Sequence, residues 1–185
     1  MASLDDLKEL DDFKLFKDFI KRFILQSEDL WKLIFYGSGN PLLLDVSENP
    51  YEIFTPSSEH GCVLFRRKND TILNEEQVSV LIDFESASSS CEYDSVYIVV
   101  RIIAKGSNIQ DLENGVNRSF AISKLFDDEF NTANINGLGE VKKKSMTPLS
   151  VNEENAGYLL LYTGHSFSSD IINNKNFKKR LLEGR

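Results

Sequence analysis

Three short stretches hold the residue types from which a site could be built. The first is Phe35-Tyr36-Gly37-Ser38-Gly39-Asn40-Pro41, whose paired glycines suggest a phosphate-cradling loop. Such a loop works only when converging backbone N–H groups meet a helix N-terminus, usually after a strand. Here the residues before Gly37 have helical spacing, no GK[ST] tail follows, and Pro41 biases Asn40 away from helical geometry. The pattern fits a helix end instead, with Gly37 in the left-handed conformation that closes many helices. The second stretch holds His60 and Cys62, a base and a nucleophile two residues apart. A dyad also needs an orienting third group, and on a strand an i, i+2 pair simply shares a face, so neither is expected to be catalytic, and Cys62, like Cys91, is expected to be a packing residue. The third is Lys142-Lys143-Lys144, on a predicted strand whose alternation sends Lys142 and Lys144 to one face and Lys143 to the other. It reads either as a solvated edge strand protected by lysine or as a salt-sensitive contact with an acidic neighbour.

Two arginines stand in unusual places. Arg101 interrupts the apolar run SVYIVVRII and must meet a carboxylate or protrude at a subunit boundary. Arg118 sits early in a helix, against the dipole, which hints at a specific partner. His60 and His165 are the only histidines, and neither Cys-x-x-Cys nor His-x-x-x-His spacing occurs, so no catalytic, cofactor-binding or metal-ligating residue is expected.

Composition narrows the function classes. The 185 residues suffice for one well-cored domain with extensions, and 41% hydrophobic residues with 13 phenylalanines argue for a packed core. A formal charge of −8 repels phosphate backbones and anionic membrane surfaces. Neither a signal peptide nor an apolar run of spanning length is seen, so a cytosol-like compartment with Cys62 and Cys91 reduced is expected.

The elements that must position these residues follow from periodicity. Leu4, Leu7, Leu10, Phe13, Phe16, Ile20, Phe23 and Ile24 recur at helical spacing after a candidate cap at Ser3. A second helix runs from a cap at Ser27 through Trp31 to Gly37. Phe13, Phe16 and Trp31 give these helices a large aromatic surface, for a core or for a partner subunit. After a proline-punctuated loop come strands at Cys62–Phe65, Gln77–Glu85 and Ser95–Ile103, the last apolar on both faces and so central. The serine-rich stretch from Ser86 to Glu92 links the last two as a plain linker or a mobile loop. A helix capped by Asn114 and carrying Val116 to Phe130 crosses the sheet, and a turn at Asn136-Gly137, a strand from Leu138 to about Ser145 and a strand from Gly157 to Thr163 complete it. The fold class is α+β, a largely antiparallel sheet with helices packed on one face. Residues 1–26 form an N-terminal helical arm, 27–163 the domain and 164–185 a C-terminal extension with a basic cluster at Lys175, Lys178, Lys179 and Arg180.

The order of these elements, with the phrases DLWKLIFY, NPL, VSVLIDF, VYIVVRIIAKGS, NGVNRSFAISKLF, INGLGEV and AGYLLLY between Asp29 and Tyr162, resembles the tail-terminator and head–tail joining proteins of tailed bacteriophages. The resemblance implies a small α+β subunit, without enzymatic activity or cofactor, that forms a closed ring, expected to be a hexamer, at the top of the tail tube. Its partners would be further copies of itself, the tail tube protein and a head–tail connector or portal-adjacent neck protein, with genome DNA passing through unbound. It would be assembled in the host cytoplasm and reside in the virion neck. Both termini exceed the compact family pattern, which suggests extra neighbours or a different station in the neck. Phe13, Phe16, Trp31, Arg101, Arg118, Lys142, Lys143 and Lys144 are the expected interface residues. The competing readings are another neck component, a small enzyme using the loop around His60 and Cys62 or the Ser86–Glu92 loop, and a nucleic-acid-binding module.

Overall fold

The computed structural model describes residues 4–45, 49–57, 59–65, 77–87, 95–135, 139–152 and 155–165. Helix α1 (Leu4–Gln26) and helix α2 (Glu28–Phe35) are separated by Ser27 alone. Ser27 occupies the cap position of α2 in extended conformation but makes no side-chain cap bond. Its backbone links the helices instead, donating to Phe23 O and accepting from Trp31 N. Glu28 and Asp29 in the first turn of α2 complement its dipole.

Strands β1 (Cys62–Leu64), β2 (Val78–Ala87) and β3 (Ser95–Lys105) precede a short helix α3 (Ser107–Gln110) and the longer α4 (Arg118–Phe130). Strands β4 (Asn134–Ile135) and β5 (Gly139–Glu140) form a two-stranded ladder. Strands β6 (Lys142–Asn152) and β7 (Asn155–His165) return to the main sheet, whose order is β1-β2-β3-β7-β6. Among the described residues only β1 and β2 pair in parallel, so the sheet is mixed but largely antiparallel, and β3 is central. The strand expected from Leu138 to Ser145 is thus two strands, β5 and the start of β6. Between them Val141 turns into the core, its N–H donating to Ala133 O.

Residues paired across a sheet share a face. The register therefore places Val78, Val80 and Ile82 with Ile98, Val100 and Ile102 of β3 and Leu160 and Tyr162 of β7, all buried beneath the helices. From the helix side Phe16, Ile20, Ile24, Leu30, Trp31, Ile34, Ile122, Phe126 and Phe130 complete this core. Each such side chain contributes about 1.5–3 kcal/mol by leaving water. The opposite face carries a smaller cluster of Cys62, Leu64 and Leu81. Gly61 is required where β1 begins, since a Cβ there would lie 1.8 Å from the carbonyl oxygen of Ile34.

The structure corrects several sequence expectations. From Phe16 onward α1 is part of the core and no protruding arm, because Phe16, Ile20 and Ile24 are wholly buried and Phe23 packs edge-on against Phe126 at 5.1 Å. Gly37 is not left-handed: α2 ends at Tyr36 with φ of −87°, and the described glycines of positive φ are Gly106, Gly115 and Gly139. The cap of α4 is Asn117, whose side chain accepts from Phe120 N, while Asn114 is spent on a turn, accepting from Val116 N. Ser3, the tip from 88 to 94, the Asn136-Gly137 turn and residues beyond 165 lie outside the described residues.

Candidate subunit interface

Helix α4 carries its charges the wrong way round for its dipole. A cation, Arg118, opens it, and Asp127, Asp128 and Glu129 crowd its last turn. Each inversion has a partner inside the chain. Arg118 is fully buried, and its two terminal nitrogens donate to the carbonyls of Tyr36 and Ser38. Those carbonyls follow the end of α2, where a cation suits the helix dipole and the last carbonyls lack intrahelical donors. Burial pulls the Arg118 pKa below its ordinary value, and no carboxylate pairs with it among the described residues. The glycine loop is therefore clamped from below by a guanidinium that is out of reach of any ligand. Asn40 donates to Glu113 and Glu113 N donates to Gly39 O, closing the loop from the side.

At the other end, Asp127 is buried and accepts from the Tyr162 hydroxyl at 3.2 Å and from Lys143 Nζ. The backbone N–H of Lys143 donates to Asn131 Oδ1 at 2.9 Å. Burial first, then the charge and hydrogen bond of Asp127, push the Tyr162 pKa far above the usual phenol range. A hydroxyl so deeply enclosed cannot meet a substrate, so the Asp127–Tyr162–Lys143 group fastens β6 to α4. Asp128 in turn pairs with Lys124 at 2.6 Å on the exposed helix face.

Strand β6 lies at the edge of the sheet and pairs only with β7 among the described residues. It breaks register between Lys143 and Ser145, so Lys144 is an extra residue with no partner across the ladder. Lys142 and Lys143 take opposite faces as expected, paired with Thr163 and Tyr162, and the alternation is interrupted at Lys144. Lys143 turns toward the helix to Asp127, Lys142 pairs with Glu140 at 3.2 Å, and Lys144 is exposed with no ion pair among the described residues. Pro148 on the same strand, in register with Tyr158, has no N–H to donate, which edge strands tolerate.

The other expected interface residues divide sharply. Phe16 and Trp31 are buried in the single chain and are not free surface; Phe16 meets Phe130 at 6.5 Å, and Trp31 donates from Nε1 to Pro50 O at 3.1 Å. Phe13 lies on α1 with its side chain outside the described residues. Arg101 is half-buried on the face away from the helices, opposite Leu81 and Leu159, and its Nη1 is buried without a hydrogen-bond acceptor. The expected carboxylate partner is thus not met at that nitrogen. His60 stacks on Phe35 with ring centres 4.3 Å apart, and its Nδ1 lies 3.0 Å from Gly61 O. Cys62 is buried in the opposite-face cluster. Most of the Ser86–Glu92 loop and Cys91 lie outside the described residues. Among the described residues no cluster of three or more His, Cys, Asp and Glu could hold a metal, and no helix is long and apolar enough to cross a membrane.

Sequence reasoning missed two things. It did not find Asp127 and Tyr162, although the acidic last turn of α4 carried the signal. It also read the segment after Pro41 only as loop, whereas Leu42, Leu43, Leu44 and Tyr51 are exposed there on two short 3-10 turns, Pro41–Leu43 and Pro50–Phe54. Comparison with curated proteins finds no match. The YomW family profile matches residues 27–163, the greater part of the chain, from the start of α2 through nearly all of β7. The chain belongs to the YomW family, a phage-type family name that points to a phage-associated protein.

Proposed function

We propose that this protein is a non-enzymatic structural subunit of a tailed-phage neck, a tail terminator that rings the head–tail junction. The observation that carries the proposal is the long edge strand β6, eleven residues with an open side among the described residues, in a chain of a phage-type family. A ring needs head-to-tail contacts that close under rotation, and an open sheet edge is a ready surface for them. The residues that could have argued for chemistry favour structure: His60 is stacked, Cys62 buried and Tyr162 enclosed. The net charge of −8 would let DNA pass without adhering. On this reading the partners are further copies in a hexameric ring, the tail tube protein and a connector or portal-adjacent protein. The subunit assembles in the host cytoplasm and ends in the virion neck.

Electron microscopy of a lysate from phage lacking this protein tests the role. DNA-filled heads unjoined to tails, with tubes of irregular or excessive length in a long-tailed virus, are expected. Tails of normal length beside unjoined heads would make it another neck component, and wholly normal virions would remove it from the neck.

A further inference from the structure

The turns after α2 hold apolar side chains in water on an unusually fixed frame. Leu43 is 81% exposed and Tyr51 64%, with Leu42 and Leu44 beside them. Beneath them Pro41 and Ile53 are buried, Lys32 Nζ donates to Leu42 O, Trp31 Nε1 donates to Pro50 O and the Tyr36 hydroxyl donates to Asp45 O. Scattered exposed leucines are ordinary, but three in succession on a backbone tied to buried residues, with exposed Tyr51 on the next described turn, make a preorganised apolar surface, a knob. Exposed Asp45 and Glu52 flank it.

The complementary surface lies at the far edge of the same sheet. Phe120 is 44% exposed at the start of α4 and packs on Tyr158 of β7 at 5.7 Å, and Tyr158 is paired in register with exposed Pro148 of β6. The unpaired, exposed Lys144 stands on that strand. The turn Pro50–Phe54 packs on β1, the first strand in the order, while Pro148 is on the last. Four strand spacings of ~4.8 Å put the two edges roughly 19 Å apart.

We infer that the acid-flanked knob at Leu42–Leu44 and Tyr51 docks on the Phe120, Tyr158 and Pro148 surface of a second copy of this chain, with Lys144 facing Asp45 or Glu52. The inference rests on the ring proposal and gives it a contact. Knob and receptor are different surfaces of one chain, so the contact is heterologous and can propagate around a closed ring. The apolar anchors supply affinity and the lysine sets orientation.

The test uses full-length chains. Leu43→Glu disables the knob at its most exposed leucine, and Phe120→Glu disables the receptor at a helix position where glutamate is favoured, three residues after the Asn117 cap. Each variant, checked for unchanged circular dichroism and melting temperature, should sediment as a monomer. A one-to-one mixture should form a heterodimer, because each partner keeps one intact surface. A variant that assembles like the parent, or a mixture that stays monomeric, overturns the contact while a ring-forming parent keeps the ring proposal standing. A parent chain that is itself monomeric overturns both. Independently of these two changes, Lys144→Glu should weaken association about threefold at low salt, with recovery when Asp45→Lys and Glu52→Lys are added to the same chain. No loss and no recovery would remove Lys144 from the contact.

Discussion

The two ends of α4 solve one electrostatic problem in opposite ways. At the N-terminal end a buried cation is surrounded by neutral carbonyls, Tyr36 O and Ser38 O, and welds two helices and a loop together. At the C-terminal end a buried anion is met by a lysine about one-third exposed and by a phenol, and fastens the edge strand to the helix. The first is scaffold, sealed from water and from neighbours. The second stands next to the open edge where a partner would bind. Charges that look equally anomalous in sequence thus separate into one that fixes the fold and one that shapes the surface.

The largest effect should come from breaking the sealed end. Arg118→Met leaves two carbonyls, Tyr36 O and Ser38 O, without their donor, and should cost about 3 kcal/mol, read as a lowered urea midpoint. Because the site excludes water, added salt should leave that cost unchanged. Asp127→Asn at the other end should cost less, about 1.5 kcal/mol, since Lys143 can turn to solvent, and the loss should shrink in high salt. A salt response equal at both ends would erase the distinction between them.

Tyr162→Phe should cost about 1 kcal/mol by thermal denaturation, leaving Asp127 with Lys143 alone. The pH dependence has a definite sign. The folded pKa of Tyr162 is raised above its unfolded value near 10, so the stability linked to it is complete below about pH 10 and is lost as pH climbs toward the folded value. Ultraviolet titration of the folded chain should find one of the 6 tyrosines silent at pH 11 and titrating only when the protein unfolds. The smallest effect on stability belongs to Lys144→Glu, within about 0.5 kcal/mol, since that side chain has no ion pair among the described residues.

The fold was legible where one period ruled a long segment. The alternation of Val78, Val80 and Ile82 and the two-sided apolarity of β3 placed the sheet's interior correctly, and the helical spacing of Ile122, Phe126 and Phe130 placed α4 on it. The site was less legible, because periodicity finds an apolar face without saying whose core it joins. Phe16 and Trp31 could as well have faced a partner as Phe130 and Pro50. Local exchanges hid the rest. Asn114 and Asn117 are both good caps, and only the turn ending at Val116 decides between them. Thr132 takes the left-handed conformation after α4, φ 73°, where a glycine would have announced the helix end. The bulge at Lys144 takes that lysine out of the ladder and shifts the residues after it by one position, with no sequence mark at all.

The central claim is that copies of this chain join head to tail into a closed ring. Negative-stain electron microscopy of the purified full-length protein, with its mass measured on the same sample, tests this most directly. The account predicts annular particles of uniform diameter and a mass that is a whole multiple of 21.1 kDa, six-fold on the resemblance to tail terminators. A uniform population of monomers at tens of micromolar, with no rings in the field, would contradict it.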